Sequence, residues 1–204
     1  MNEYILSALI FGLTAGLQPG PLSILVVQQT LERGLINGIK VSFAPVITDG
    51  PIIFVSALVL SQFKDISLFI GLLSLLGGLY LSWLCVKTIR VKDISFSNSP
   101  ATNSSLITAV KVNFLSPNPY LFWFSVGGTY FALGATNEAI VFVLVFLSSL
   151  VLSKITIALV ASKFRKSLES RAYLWIMRVL GLALGIFAVS FLLKSYELLN
   201  RINI

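Results

Sequence analysis

The sequence predicts an all-α integral membrane protein whose six transmembrane helices form two inverted halves of three helices each. Hydrophobic residues make up 56% of the 204 residues, only 11% are charged, and the mean hydropathy is +0.92. A soluble domain carries about 25% charged residues. Two proline brackets, Pro19-Gly20-Pro21 and Pro117-Asn118-Pro119, lie inside long apolar stretches. They predict that the first and fourth helices are broken.

Six apolar stretches are long enough to cross a bilayer, which takes about 20 residues. The predicted spans are residues 4–28, 39–62, 66–88, 106–131, 138–161 and 173–194. The first stretch is expected to remain in the mature protein, because no basic residue precedes Arg33 and a signal peptide begins with a positive region.

The segment between the third and fourth spans predicts a connecting loop, because Ser, Asn and Pro are concentrated in it. We therefore expect a single membrane domain over residues 1–204, with a first repeat (1–88), a cytoplasmic loop (89–105) and a second repeat (106–204). Since each half has an odd number of spans, the second half enters the membrane from the opposite side, which makes the halves inverted repeats.

The net charge of +7 is explained by the distribution of basic residues over the loops. Eleven of the fifteen fall in or beside the connections between spans 1 and 2, 3 and 4, and 5 and 6. Basic residues in short loops mark the cytoplasmic side, so both termini are predicted outside. Binding of anionic lipid is an alternative explanation of the charge. No nucleic-acid partner is predicted.

The cysteine and histidine content excludes several classes of site. Cys85 is the only cysteine, and the chain has no histidine. An internal disulfide, a CxxC pair and a thiolate metal cluster are therefore impossible, and zinc enzymes are disfavoured. We predict no catalytic residues, no metal and no cofactor.

The proline brackets predict the binding site. Proline lacks the amide hydrogen that a helix needs, and in lipid a broken backbone is tolerated only where protein buries it or where it lines a wet cavity. Paired interruptions in the two halves of a transporter indicate its site. Pro21 and Pro119 are each expected to restart a helix, after Gly20 and Asn118, and to turn the positive helix end toward an anion. The alternative is two purely structural kinks.

The predicted substrate-binding residues are the two brackets and the polar side chains beside them: Gln18, Pro19, Gly20, Pro21, Ser23, Asn113, Ser116, Pro117, Asn118 and Pro119.

Two ionisable residues, Asp49 and Lys154, lie deep within predicted spans. Charges there are costly and usually functional, so both are predicted coupling residues. Asp49 would carry a proton or bind a cation. Lys154 would pair with Asp49 or hold a substrate carboxylate. The alternatives are a helix-capping or pairing role beside Gly50-Pro51 for Asp49 and a snorkelling side chain for Lys154.

Small and aromatic residues predict contacts between helices. Gly181 and Gly185 form a GxxxG motif, which can drive helix association and includes the possibility of a homodimer. Trp83, Trp123 and Trp175 are expected to be interfacial anchors or core residues.

Several of these motifs together resemble one family over nearly the whole chain. The segments are Gly16-Leu-Gln-Pro-Gly-Pro-Leu22, Gln29-Thr-Leu-Glu-Arg-Gly34, Asp49-Gly50, Gly78-Leu-Tyr-Leu-Ser-Trp83 and Val112-Asn-Phe-Leu-Ser-Pro-Asn-Pro119. They resemble the LysE/RhtB family of amino-acid exporters. The resemblance implies a bacterial inner-membrane exporter of amino acids or similar small metabolites, driven by proton exchange.

The chain departs from the family pattern at two positions. Leu22 stands where the family often has Asn, and Tyr120 stands where it often has Lys. Both changes remove a polar group beside the predicted site, so a less polar substrate is an open alternative. Two other functions also remain open: an uncoupled channel or facilitator that uses the same cavity, and a membrane thiol-redox relay, which the single cysteine disfavours.

Overall fold

A computed structural model describes residues 2–62, 67–90, 103–124, 136–165 and 170–200, and within these ranges it contains helices and no strand. The helices are α1 (Asn2–Leu17), α2 (Pro21–Arg33), α3 (Leu35–Ser42), α4 (Ala44–Gln62), α5 (Ser67–Ile89), α6 (Asn103–Phe114), α7 (Pro117–Phe122), α8 (Thr136–Arg165) and α9 (Ser170–Asn200).

Four helical segments in the described residues are long and apolar enough to cross a membrane: Leu35–Ser56, Ser67–Ile89, Asn137–Phe164 and Leu174–Asn200. Helices α1 and α2 make a fifth if they are taken as one span, with a bend of 61° between them. The all-helical membrane prediction is therefore confirmed.

The predicted fourth span and the loop before it are only partly described. The fourth span, 106–131, corresponds to α6 and α7, and residues 125–131 lie outside the described residues. Residues 91–102 of the predicted loop also lie outside them. The ends of that loop are helical, because α5 continues to Ile89 and α6 begins at Asn103.

The first proline bracket lies between α1 and α2. Gly20 is the N-cap of α2 in an extended conformation, and Pro21 begins the helix. The Ser23 hydroxyl donates to the Gln18 carbonyl at 2.9 Å. This bond satisfies a carbonyl oxygen that the end of α1 leaves without a helical partner.

The second bracket restarts its helix two residues earlier than expected. Helix α7 begins at Pro117 rather than Pro119, and Ser116 is its N-cap, with a hydroxyl that accepts from the Asn118 amide at 3.4 Å. Amides in the first turn of a helix have no helical acceptor, so proline is tolerated at its first and third positions alike. Asn118 therefore lies inside the helix rather than before it.

Close packing within the chain accounts for the GxxxG motif. Helix α9 packs along α5, and α1 packs along α8. A methyl group at Gly181 would meet Ile89, and one at Gly185 would meet Cys85, so both glycines face α5. The motif thus joins two helices of the same chain. A homodimer remains a prediction, but this motif is not exposed to support it.

Gly77 shows how tightly the helices approach one another. A methyl group at this position would overlap the Leu115 carbonyl oxygen and approach Phe191 at 3.1 Å. We expect Gly77→Ala to destabilise the fold by about 1–3 kcal/mol, because this backbone atom cannot move aside easily. The apparent Tm of the detergent-solubilised protein should fall. Gly50→Ala is the control, since nothing lies within 4 Å of its methyl position. Equal Tm values for the two variants would contradict the packing.

Candidate functional site

One cavity of about 170 Å³ lies where the two helix breaks meet α4 and α8. Eleven of the twelve predicted binding and coupling residues line it, and Pro117 does not. The lining residues are Ala15, Gln18, Pro19, Gly20, Pro21, Leu22, Ser23, Pro45, Asp49, Val112, Asn113, Ser116, Asn118, Pro119, Phe122, Trp123, Phe146, Leu150 and Lys154.

The Asp49 carboxylate is held by donors from two other helical segments. Its Oδ2 accepts from Trp123 Nε1 at 3.2 Å, and its Oδ1 accepts from Asn113 Nδ2 at 3.5 Å. The neighbouring Thr48 hydroxyl lies 3.4 Å from Oδ1 and accepts from Asn113 at 2.6 Å. Asp49 lies inside α4 rather than at its start, so it does not cap that helix.

Burial shows why these donors matter. Asp49 is 3% exposed, and Trp123 is 2% exposed. A carboxylate removed from water needs hydrogen bonds in place of its hydration. Sequence reasoning missed Trp123 as a site residue, because a tryptophan in an apolar stretch indicates an anchor or a core position equally well. Its position directly after the second break was the signal that could have identified it.

Lys154 reaches the cavity from α8. Its Nζ donates to the Ser23 hydroxyl at 2.5 Å, and the side chain is 4% exposed. The ammonium group is therefore buried beside the first break, and the snorkelling alternative is wrong. Asp49 and Lys154 line the same cavity with different hydrogen-bond partners.

The two helix ends at the cavity are not equivalent. At the second break, the Ser116 hydroxyl accepts from the Asn118 amide, and Pro117 and Pro119 have no amide hydrogen. At the first break, Gly20 makes no side-chain cap bond and α2 continues for 13 residues. The first-turn amides that no side chain caps at the cavity therefore belong mainly to α2.

The remaining wall of the cavity is apolar. Leu22, Val112, Phe122, Phe146 and Leu150 contribute to it. Such residues were not predicted, because apolar side chains in a membrane span carry no sequence signal that separates a cavity wall from lipid contact.

The two departures from the family pattern have different positions. Leu22 lines the cavity. Tyr120 is 1% exposed and packs edge-on against Phe69 and Phe114, with ring centroids 5.4 and 6.1 Å away. Only the first departure therefore changes the cavity lining.

Potential metal ligands and the cysteine are scattered over the described residues. No group of three or more His, Cys, Asp or Glu side chains comes together there. Cys85 is partly buried where α5 meets Gly185 of α9, and it does not line the cavity.

Comparison with known protein families identifies the family of this chain. The model of the LysE type translocator family matches residues 13–195, which include both breaks, Asp49 and Lys154. The chain belongs to the LysE type translocator family. No curated protein and no solved structure matches it.

Membership of the LysE family makes this chain a multi-pass membrane protein of a transporter family. A transporter needs a polar site that a solute can reach within an apolar bundle. In this LysE chain the buried carboxylate, the buried ammonium and the break before α2 meet at one cavity. Buried ionisable groups in a membrane are costly, and they usually mark such a site.

Proposed function

We propose that this LysE translocator exports amino acids or similar small metabolites across the bacterial inner membrane in exchange for protons. The observation that carries the proposal is the cavity at the two helix breaks, into which Asp49 and Lys154 both project. A zwitterionic solute has one group for each of these charges.

The substrate carboxylate binds at the first break. Lys154 Nζ and the Ser23 hydroxyl lie there, and the N-terminus of α2 adds unpaired amides and a positive dipole end. These donors resemble the anion sites that helix N-termini form in soluble proteins.

The substrate amino group binds at Asp49, which is also the proton carrier. A carboxylate can hold a proton or an ammonium ion at the same oxygen, but not both. Proton binding from outside therefore releases the substrate, and substrate binding from inside releases the proton. This competition exchanges one for the other and requires no further ionisable group.

The lining limits the substrate class. Among the described residues that line the cavity, Asp49 is the one carboxylate and Lys154 is the one cation. A second charge on the substrate side chain would have no partner there, and unpaired buried charges are strongly disfavoured. The apolar wall around Leu22 and Phe146 favours a neutral, apolar side chain.

The proposed arrangement in the membrane is one domain of two inverted three-helix repeats. The first break belongs to the first repeat and the second break to the second. Arg33, Lys40, Lys87 and Arg90 cluster in the sequence around the α2–α3 junction and the end of α5. We assign that end to the cytoplasm and both termini to the outside.

Flux into inside-out membrane vesicles tests the function. In such vesicles, export is measured as uptake of a labelled neutral amino acid, with leucine and alanine as first probes. We expect saturable uptake when the lumen is acidic and loss of uptake when an ionophore collapses the pH gradient. Vesicles without the protein are the control. Metabolite profiles of cells with and without the protein should identify further substrates, which accumulate inside cells that lack it.

Unsaturable, gradient-independent uptake would instead identify a facilitator. No protein-dependent uptake and no change in the metabolite profiles would contradict the proposal.

A further inference from the structure

A second buried polar cluster lies on α2, beyond the cavity. The Ser105 hydroxyl of α6 donates to Gln29 Oε1 at 2.6 Å, and Arg33 Nη1 donates to Ser105 Oγ at 3.2 Å. Gln28 and Gln29 donate to the two oxygens of Glu32 at 3.0 and 3.2 Å. We call the cluster of Gln28, Gln29, Glu32, Arg33, Thr88 and Ser105 the polar latch.

Four members of the polar latch are buried where α2, α5 and α6 meet. Thr88 of α5 is 0% exposed, Ser105 is 2% exposed, and Gln28 and Gln29 are 6% and 7% exposed. The Thr88 hydroxyl lies 3.4 Å from Gln28 Oε1, so α5 also reaches the cluster. These side chains are therefore packed between α2, α5 and α6 with little exposed surface.

The polar latch lies directly along the helix that forms the first break. The cavity is lined by Pro21, Leu22 and Ser23, and the latch begins at Gln28. The separation from Ser23 is about five residues, or roughly 8 Å along an α-helix. Leu25 and Val26 fill the level between them and are 1% and 0% exposed.

The hydrogen-bonding side chains of the polar latch suit a contact between α2 and α6 that can open. An apolar seam would expose hydrophobic surface to water on opening, at about 25 cal/mol per Å². When hydrogen-bonded side chains separate, each exchanges its protein partner for water. A neutral hydrogen bond therefore favours the closed state only by about fivefold. Ser105 is the member whose bonds join α6 to α2.

We propose that the polar latch is the cytoplasmic gate of the translocation cavity. The role of the polar latch as a gate rests on the proposed function. Its assignment to the cytoplasmic side rests on the basic residues Arg33, Lys87 and Arg90 at that end. Separation of Ser105 from Gln29 lets α6 move away from α2 and opens a path from the cytoplasm to the cavity.

Thiol labelling tests the gate without any substrate. In a Cys85→Ala background, which removes the chain's one cysteine, Leu22→Cys places a thiol at the cavity. A membrane-impermeant maleimide is applied to the cytoplasmic face in inside-out vesicles. Adding Ser105→Ala should raise the labelling rate at least about fivefold, because it removes both the bond to Gln29 and the bond from Arg33. Ser162→Ala is the control, because this hydroxyl bonds only within its own helix, to the Leu159 carbonyl.

An unchanged labelling rate in Ser105→Ala would overturn the proposal. So would an increase seen only in right-side-out vesicles, since the gate would then lie on the other face. Because labelling needs no transport, either result is independent of whether amino acids are the substrate.

Cross-linking tests the same gate through flux. The pair Gln29→Cys and Ser105→Cys, joined by a short bis-thiol reagent, should lose transport and regain it when the linker is cleaved. The matched pair Thr156→Cys and Val160→Cys lies on the exposed face of α8 and should keep transport when joined. Full transport by the joined latch pair would overturn the gate. Absence of flux before joining would count against the proposed function instead.

Discussion

Asp49→Asn should abolish proton-driven amino-acid uptake in inside-out vesicles while the protein still reaches the membrane. Asparagine neither binds nor releases a proton at physiological pH, so the exchange of proton for substrate loses its carrier. The change also loses the ion pair with the substrate amino group, which adds to the defect. The lost ion pair alone should lower uptake by about 10- to 100-fold, since a charged hydrogen bond is worth about 1.5–3 kcal/mol, and the loss of the proton carrier should remove the remaining gradient-driven uptake.

The hydrogen bonds to Asp49 predict a second effect of the same variant. Trp123 and Asn113 donate to different oxygens of the Asp49 side chain. Asparagine has only one acceptor oxygen, so one of these donors would face an amide NH₂ group. Some loss of thermal stability should therefore accompany the loss of transport.

The control must separate these two effects. Trp123→Phe removes the donor on Oδ2 but leaves a carboxylate that titrates. It should lower the rate and still respond to a collapsed pH gradient. Exposed Glu197→Gln makes the same change of acid to amide outside the cavity and should alter neither property. Gradient-driven uptake by Asp49→Asn at the rate of the unmodified protein would exclude Asp49 as the carrier.

Most of the residues predicted from the sequence line one cavity, because the signals that predicted them are local. A proline bracket alters the backbone where it stands, and a charge in an apolar stretch is costly wherever the chain folds. These rules gave both breaks, Asp49 and Lys154, and all four features line the same cavity.

The remaining features depend on tertiary contacts that no local rule contains. Trp123 meets Asp49 across 74 residues of sequence. Helix α7 begins at Pro117 because Ser116 happens to cap it, which proline chemistry alone does not decide. The family comparison of Tyr120 with a lysine suggested a site position, whereas packing against Phe69 and Phe114 removes it from the cavity.

Lys154→Met should weaken substrate binding without lowering the stability of the protein. Methionine keeps much of the side-chain volume and removes the ammonium that donates to Ser23. A buried ammonium without an acidic partner costs stability, and replacing buried charge with an apolar side chain is often neutral or favourable. The apparent Tm in detergent should therefore hold or rise.

Transport should move in the other direction. Loss of the charged donor for the substrate carboxylate should raise the KM for amino acids by about 10- to 100-fold, at about 1.5–3 kcal/mol for a charge-assisted bond. Discrimination against amines without a carboxylate should fall by the same factor, because residue 154 would no longer bind the substrate carboxylate. The pH-gradient dependence should persist, since Asp49 is unchanged.

Lys163→Gln, on the exposed end of the same helix, is the matched control and should alter neither KM nor Tm. If Lys154 were only a structural tie between α8 and Ser23, Lys154→Met would lower the Tm and leave the KM and the discrimination against amines unchanged. A purely structural role and a carboxylate-binding role therefore predict different values of both the KM and the Tm for the same variant.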